Sequence, residues 1–165
     1  MFGPHLLIGK QPRKELMSAP DPVAAPLRLL HTMLRVRDLD TSLGFYLRLM
    51  GMSLLRREHY PDGRFTLAFV GYGDERAQAV LELTHNWDRD VYERGDAYGH
   101  VALAVADVRL TCAQLAAAGV KIVRKPGHMQ HIADDRSAPQ KIAFVEDPDG
   151  YRIELVEVAQ APGAA

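Results

Sequence analysis

The chain is 165 residues long, 47% hydrophobic and 25% charged, and its 20 Lys and Arg against 21 Asp and Glu leave a formal net charge of −1. These values fit one ordinary globular unit and exclude wholesale disorder and fibrous or collagen-like structure. The balanced charge gives no reason to expect nucleic acid, an anionic membrane or a polycation as the main partner, and favours a small one.

Residues 1–26 carry Pro4, Pro12, Pro20, Pro22 and Pro26 and no sustained hydrophobic period, so they read as an arm without a core of its own. The apolar stretch within them, Leu6 to Gly9, is too short for a signal peptide, and nowhere does an apolar run approach membrane-spanning length. A strand is expected over Leu27–Val36. A helix follows, capped by Asp38 or Thr41, with Leu43, Tyr46, Leu47 and Met50 on its apolar face and Gly51 just past its end. Met52–Glu58, Arg64–Val70 and Ala79–Thr84 then read as strands, divided by the Pro61-Asp62-Gly63 turn and the Gly71–Asp74 loop.

The same order returns in the second half. Gly99–Ala106 reads as a strand, and Asp107 caps a helix running through Leu110, Gln114 and Leu115 to Gly119. Val120–Arg124, Lys141–Val145 and Tyr151–Val158 are strands, and residues 159–165 form a loose tail. Cys112, the single cysteine, lies early in this helix with no His or Lys beside it, which suits an inert, partly buried thiol. Alone it can form neither an intramolecular disulfide nor a thiolate zinc site, and a reducing, cytoplasmic setting is the expectation.

The correspondence between the halves extends to particular residues. His31 stands seven positions before Asp38, as His100 stands seven before Asp107. Ala68-Phe69-Val70 precedes Leu81-Glu82-Leu83, as Ala143-Phe144-Val145 precedes Ile153-Glu154-Leu155. An internal duplication accounts for this, with module 1 over about residues 27–90 and module 2 over about 97–158. It yields His31, Glu82, His100 and Glu154 as two equivalent pairs. Strand alternation turns each Glu away from its Leu and Ile neighbours. A carboxylate facing a cleft is costly unless paired or metal-bound, one facing solvent is not, and composition alone leaves both open. A lone strand histidine is more often an ordinary core or surface residue than a ligand. The repetition of both residue types at matching places favours the metal, and two imidazoles with two carboxylates suit a divalent first-row cation.

Further motifs lie around these pairs: His31-Thr32-Met33-Leu34-Arg35-Val36, Phe45-Tyr46, Leu49-Met50-Gly51-Met52, Ala68 to Gly73, Leu81 to Thr84, Tyr98-Gly99-His100 and Ala143 to Tyr151 with Ile153-Glu154-Leu155. In this order, over about residues 27–158, they resemble glyoxalase I (lactoylglutathione lyase) of the vicinal oxygen chelate superfamily. The resemblance implies an α+β fold of tandem βαβββ modules whose paired, curved mixed sheets form a cleft. It implies a homodimer with shared active sites, each taking His31 and Glu82 from one subunit and His100 and Glu154 from the other. Having His at position 31 resembles the short bacterial enzymes that prefer nickel or cobalt, although the ligand set accepts zinc too. The implied substrate is the hemithioacetal of methylglyoxal and glutathione, converted through an enediolate to S-D-lactoylglutathione. By match to the family Glu154 is the principal base, and Glu82 a ligand and second proton carrier. Arg35 and Asn86 match positions that hold the γ-glutamyl carboxylate of glutathione; without the resemblance they read as a surface charge and a turn residue.

Lys125–Gln140 is longer than the corresponding loop of the short bacterial enzymes, a departure that bears on which thiol is used. His128, His131, Asp134 and Asp135 in it suggest a second metal site, but a polar, proline-containing loop is more often simply solvated. His5, His59 and His85 read as surface histidines, and Trp87, Tyr92 and Tyr98 either line the cleft or cover the core. Within the superfamily the alternatives are a coenzyme A thioester epimerase, a ring-cleaving dioxygenase, for which the fourth ligand is superfluous, and a metal-free binding protein, against which four retained ligands speak.

Overall fold

The computed structural model describes residues 27–131 and 138–159. In chain order its elements are β1 (His31–Arg35), α1 (Leu39–Leu43) continuing as a π-helical segment (Gly44–Leu49), β2 (Ser53–Tyr60), β3 (Phe65–Gly71), β4 (Val80–Asn86), β5 (Val101–Val105), α2 (Val108–Ala117), β6 (Ile122–His128), β7 (Lys141–Glu146) and β8 (Arg152–Glu157). They build two four-stranded mixed sheets, ordered β1-β4-β3-β2 and β5-β8-β7-β6. In each, the first strand runs parallel to the last and the other pairings are antiparallel. The expected α+β architecture of two βαβββ units is therefore what the chain forms.

Local chemistry explains the element boundaries. Asp38 caps α1 by accepting from the Thr41 amide at 2.7 Å, and Asp107 caps α2 by accepting from the Arg109 and Leu110 amides at 2.8 and 2.9 Å. Gly51 (φ 70°) and Gly119 (φ 82°) carry the left-handed turns that release the chain after each helix. Leu34, Leu81, Leu83, Ala68 and Val70 from the first sheet and Ile153, Leu155, Ala143 and Val145 from the second join buried helix residues in one core.

The modules are joined through the turn between β7 and β8. Asp147 folds this turn by accepting from the Asp149 and Tyr151 amides at 3.0 and 2.7 Å, and Gly150 takes φ 79°. Module 1 grips the turn: the Tyr46 hydroxyl donates to Asp147 at 2.8 Å, Ser42 to Asp149 at 3.0 Å, and Arg37 to Asp149 at 2.9 Å through both its amide and its Nε. In return the Tyr151 hydroxyl donates to the Arg35 carbonyl at 3.0 Å.

Several expectations are corrected. Leu27–Leu30 precede β1 as exposed, extended chain instead of belonging to it. The first helix widens at Gly44–Leu49, where the Met50 amide reaches the Phe45 carbonyl, and this turns Phe45 inward beside Tyr46. α2 forms over the expected stretch, through Leu110, Gln114 and Leu115, and buries Val108, Cys112 and Leu115. β6 runs on to His128, which pairs with Lys141, so the loop begins at Met129 and not at Lys125.

Candidate active site

β1 and β4 lie side by side and parallel, with Met33 opposite Glu82. His31, two residues earlier on the same face, is the diagonal neighbour of Glu82, and its Nε2 stands 3.1 Å from Glu82 Oε2. The second sheet repeats this: Ala102 lies opposite Glu154, and Nε2 of His100 stands 3.1 Å from Glu154 Oε2. On the other side of each Glu the register places a phenylalanine, Phe69 and Phe144. Each imidazole meets that ring edge-on, with centroids 5.6 and 5.3 Å apart. The glutamate side chains are 13% and 15% exposed and the histidines 38% and 41%, so both pairs open outward from the sheet face.

These distances fit metal ligation. Two donors bound at about 2.1 Å and about 90° apart on one ion lie about 3.0 Å from each other, close to the separation within each pair. Imidazole nitrogen with carboxylate oxygen is a donor set for first-row divalent cations. Within the chain the two pairs stay apart: among the described residues no three His, Cys, Asp or Glu side chains come together closely enough to hold one ion. Each sheet thus carries one His–Glu pair.

The surroundings of Glu82 include two residues that the sequence did not single out. The Thr84 hydroxyl donates to Glu82 Oε1 at 2.9 Å. Arg56, on β2 opposite Phe69, lies over that ring with its guanidinium carbon 3.3 Å from the centroid, held by Glu75 at 3.0 Å and by Glu58. Alternation along β4 is the signal that could have found Thr84, since it places that residue on the face of Glu82.

Arg35 and Asn86 approach a cavity of about 390 Å³ beside β1, lined by Met33, Arg35, Arg89, Tyr92, Arg94 and Tyr98 among others. Asn86 joins through its amide, which donates to the Tyr92 hydroxyl at 2.9 Å. Tyr92 and Tyr98 therefore line this cleft, and Tyr98 also packs edge-on against Tyr151 at 5.2 Å. Trp87 instead covers the sheet, its indole N–H donating to Thr66 at 2.9 Å. Arg89 and Arg94 lie where the sequence has no periodicity, and nothing there pointed to them. A larger groove of about 1420 Å³ runs between α1, the end of α2 and the β7–β8 turn, and none of the four His and Glu residues lines it.

The remaining candidates are placed as follows. His128 belongs to β6 and its Nδ1 lies 3.3 Å from the Pro139 carbonyl; Asp134, Asp135 and His5 lie outside the described residues. His59 is an exposed β2 residue whose Nδ1 lies 3.1 Å from the Thr66 hydroxyl. His85 departs from the surface reading, being half-buried in β4 with its Nδ1 enclosed. Cys112 is buried, and that burial pushes its thiol pKa up, away from nucleophilic character.

Residues 28–155 match the family model of the Glyoxalase/Bleomycin resistance protein/Dioxygenase superfamily. A probable lactoylglutathione lyase of Synechocystis sp. is 55% identical over 131 residues, covering 79% of this chain and 95% of that relative. Among solved structures, glyoxalase I from Zea mays superposes with a TM-score of 0.73 at 39% identity, covering 82% of this chain and 46% of the maize chain, so this chain spans about half the maize length. The trypanothione-dependent glyoxalase I of Leishmania major superposes with a TM-score of 0.66 at 43% identity, covering 79% of this chain and 86% of that one.

Proposed function

The chain belongs to the Glyoxalase/Bleomycin resistance protein/Dioxygenase superfamily, and from that premise we propose that it is a lactoylglutathione lyase, converting the hemithioacetal of methylglyoxal and glutathione into S-D-lactoylglutathione. The observation that carries this reading is the duplicated His–Glu pair, each with its two donor atoms 3.1 Å apart on an open sheet face. His31, Glu82, His100 and Glu154 would hold a divalent cation, nickel or cobalt in preference to zinc. Such a cation supplies Lewis-acid stabilisation of the negative charge that develops on two vicinal oxygens.

The protein's own residues do the rest. Glu154 takes the proton from the carbon bearing sulfur and returns it to the neighbouring carbon, so the substrate is isomerised with no net gain or loss of atoms. Glu82 remains a ligand and is the second proton carrier on the opposite face. Arg35 and Asn86, flanking the 390 Å³ cavity, hold the γ-glutamyl carboxylate, for which the forked guanidinium is suited.

Because one chain keeps its pairs apart, the complete site takes His31 and Glu82 from one subunit and His100 and Glu154 from the other, in a homodimer. The exposed Leu27, Leu29 and Leu30 leading into β1 provide apolar surface for such an assembly. The buried, unpaired Cys112 suits the reducing cytoplasm.

The test is a metal-by-thiol activity matrix on the chelated and reloaded protein, with glutathione and trypanothione as thiols, run beside Glu154→Gln. The expected result is thioester formation restored best by nickel or cobalt, and loss of isomerisation in Glu154→Gln with the fold intact. Near-normal turnover in that variant removes Glu154 as base. Absence of both metal uptake and activity in the wild type points to a binding protein instead.

A further inference from the structure

The two half-sites are nearly equivalent, yet the roles proposed for their carboxylates are not: Glu154 is the principal base and Glu82 chiefly a ligand. Their shared features do not separate them. In each, a His Nε2 lies 3.1 Å from Oε2 of its Glu, a Phe faces that Glu, and the glutamate exposures are 13% and 15%. The difference lies two residues further along the strand. Thr84 in β4 donates its hydroxyl proton to Glu82 Oε1 at 2.9 Å, whereas the corresponding position after Glu154 in β8 is Val156, a methyl in place of the hydroxyl. Both oxygens of Glu82 are therefore engaged, one toward His31 and one by Thr84. Among the described residues no hydrogen bond reaches the second oxygen of Glu154.

We propose that Thr84 is a positioning residue that holds Glu82 chiefly as a ligand and, by having no counterpart in module 2, leaves Glu154 as the freer carboxylate and hence the principal base, with Glu82 the lesser proton carrier. This rests on the reading of His31, Glu82, His100 and Glu154 as metal ligands with Glu154 as base. Thr84 is well placed to hold Glu82, since it is only 8% exposed, sits in a strand paired on both sides, and is β-branched, so its side chain has little rotational freedom. A hydrogen bond to a carboxylate is of the stronger, charge-assisted kind, and a carboxylate bound at both oxygens has one orientation instead of several. Partners of this kind behind a metal ligand are worth about 10- to 100-fold in metal affinity.

Threonine and valine have nearly the same shape, so exchanging them removes or adds the hydroxyl with little change in packing. The probe is Co²⁺ titrated into the chelated full-length protein and followed by its visible absorption, with activity read separately at saturating cobalt. Thr84→Val is expected to weaken Co²⁺ binding about tenfold or more, and Thr84→Ser to restore it. In a Glu154→Gln background, adding Thr84→Val is expected to raise the residual isomerisation severalfold, because Glu82 is released; a merely structural role predicts a further fall. Val156→Thr, which leaves module 1 untouched, is expected to lower kcat without weakening Co²⁺ binding. Wild-type Co²⁺ affinity in Thr84→Val, or no gain of the double variant over Glu154→Gln alone, overturns the proposal. A wild-type protein that takes up no Co²⁺ overturns the metal reading as well, so the two failures are distinguishable.

Discussion

Tyr46→Phe tests whether the joint between the modules is held by a buried charge-assisted hydrogen bond. Tyr46 is completely buried, and its hydroxyl donates at 2.8 Å to Asp147, which is 5% exposed. Burial pushes the Asp147 carboxyl pKa up, and the hydrogen bonds from Tyr46 and the Tyr151 amide oppose that shift. Burial beside this carboxylate pushes the Tyr46 phenol far above its ordinary range, so it stays a donor. Without the hydroxyl, an ionised Asp147 keeps only the amides of Tyr151 and Asp149, at 2.7 and 3.0 Å. A hydrogen bond to a charged group is worth about 1.5–3 kcal/mol. At about 2–4 °C per kcal/mol for a chain of this size, Tm should fall by roughly 3–12 °C near pH 7. The pH dependence has a definite sign. A carboxyl whose folded pKa is raised contributes stability below its unfolded pKa and loses it as pH rises through the folded one. The Tyr46 hydroxyl softens that loss by favouring the charged form, so the deficit of the variant should be larger near pH 7 than near pH 4. Thermal unfolding of the metal-free protein at one fixed protein concentration, followed by circular dichroism at both pH values, measures it. Equal deficits at the two pH values would refute the assignment.

Arg35→Ala should raise KM for the glutathione hemithioacetal about tenfold or more while leaving kcat within about twofold, the pattern of lost uniform binding; an unchanged KM removes Arg35 from thiol recognition. Glu157 accepts from Lys141 Nζ at 2.6 Å and from the Val108 amide at 3.2 Å, and these bonds hold its carboxyl below the usual range. Its contribution is present above its unfolded pKa and lost as pH falls through the folded one, so Glu157→Gln should flatten the acid limb of a Tm-against-pH curve; an unaltered limb counts against that role.

The two His–Glu pairs were legible in the sequence because duplication leaves a signal at fixed spacing. His31 with Glu82 and His100 with Glu154 occupy matching places, and period-two alternation alone says which face each Glu takes. The helix caps were legible for a similar reason, since Asp38 and Asp107 act on amides two or three residues away. What escaped depended on long-range contact. The widened turns of Gly44–Leu49 bring in Phe45 against a plain 3.6-residue period. Leu110 fits an apolar stripe yet faces outward, because the second sheet meets α2 through Val108, Cys112 and Leu115. Asp147 and Asp149 could be read as a turn, but that this turn binds module 1 through Tyr46, Ser42 and Arg37 needs contacts across more than a hundred residues. Arg56 was hidden differently: its stacking over Phe69 depends on a bulged register between β2 and β3 that strand periodicity does not reveal.

Where the two modules have diverged bears on how a duplicated site handles an unsymmetrical substrate. On the face of the first pair, the positions four after His31, two after Glu82 and four after Glu82 are Arg35, Thr84 and Asn86; the corresponding positions in module 2 are Ala104, Val156 and Val158. The differences run in one direction, polar in module 1 and apolar in module 2, while the His–Glu pairs and the phenylalanines beside them are kept. Hydrogen-bonding groups around Glu82 are suited to fixing a ligand and gripping the anionic end of a thiol adduct, because each can be met by a charged or polar atom. Aliphatic groups beside Glu154 leave its carboxylate with few competing hydrogen-bond donors. A pair of identical modules gives an unsymmetrical substrate no reason to lie one way round. Three substitutions on one face supply that reason, and they do so without disturbing either His–Glu pair.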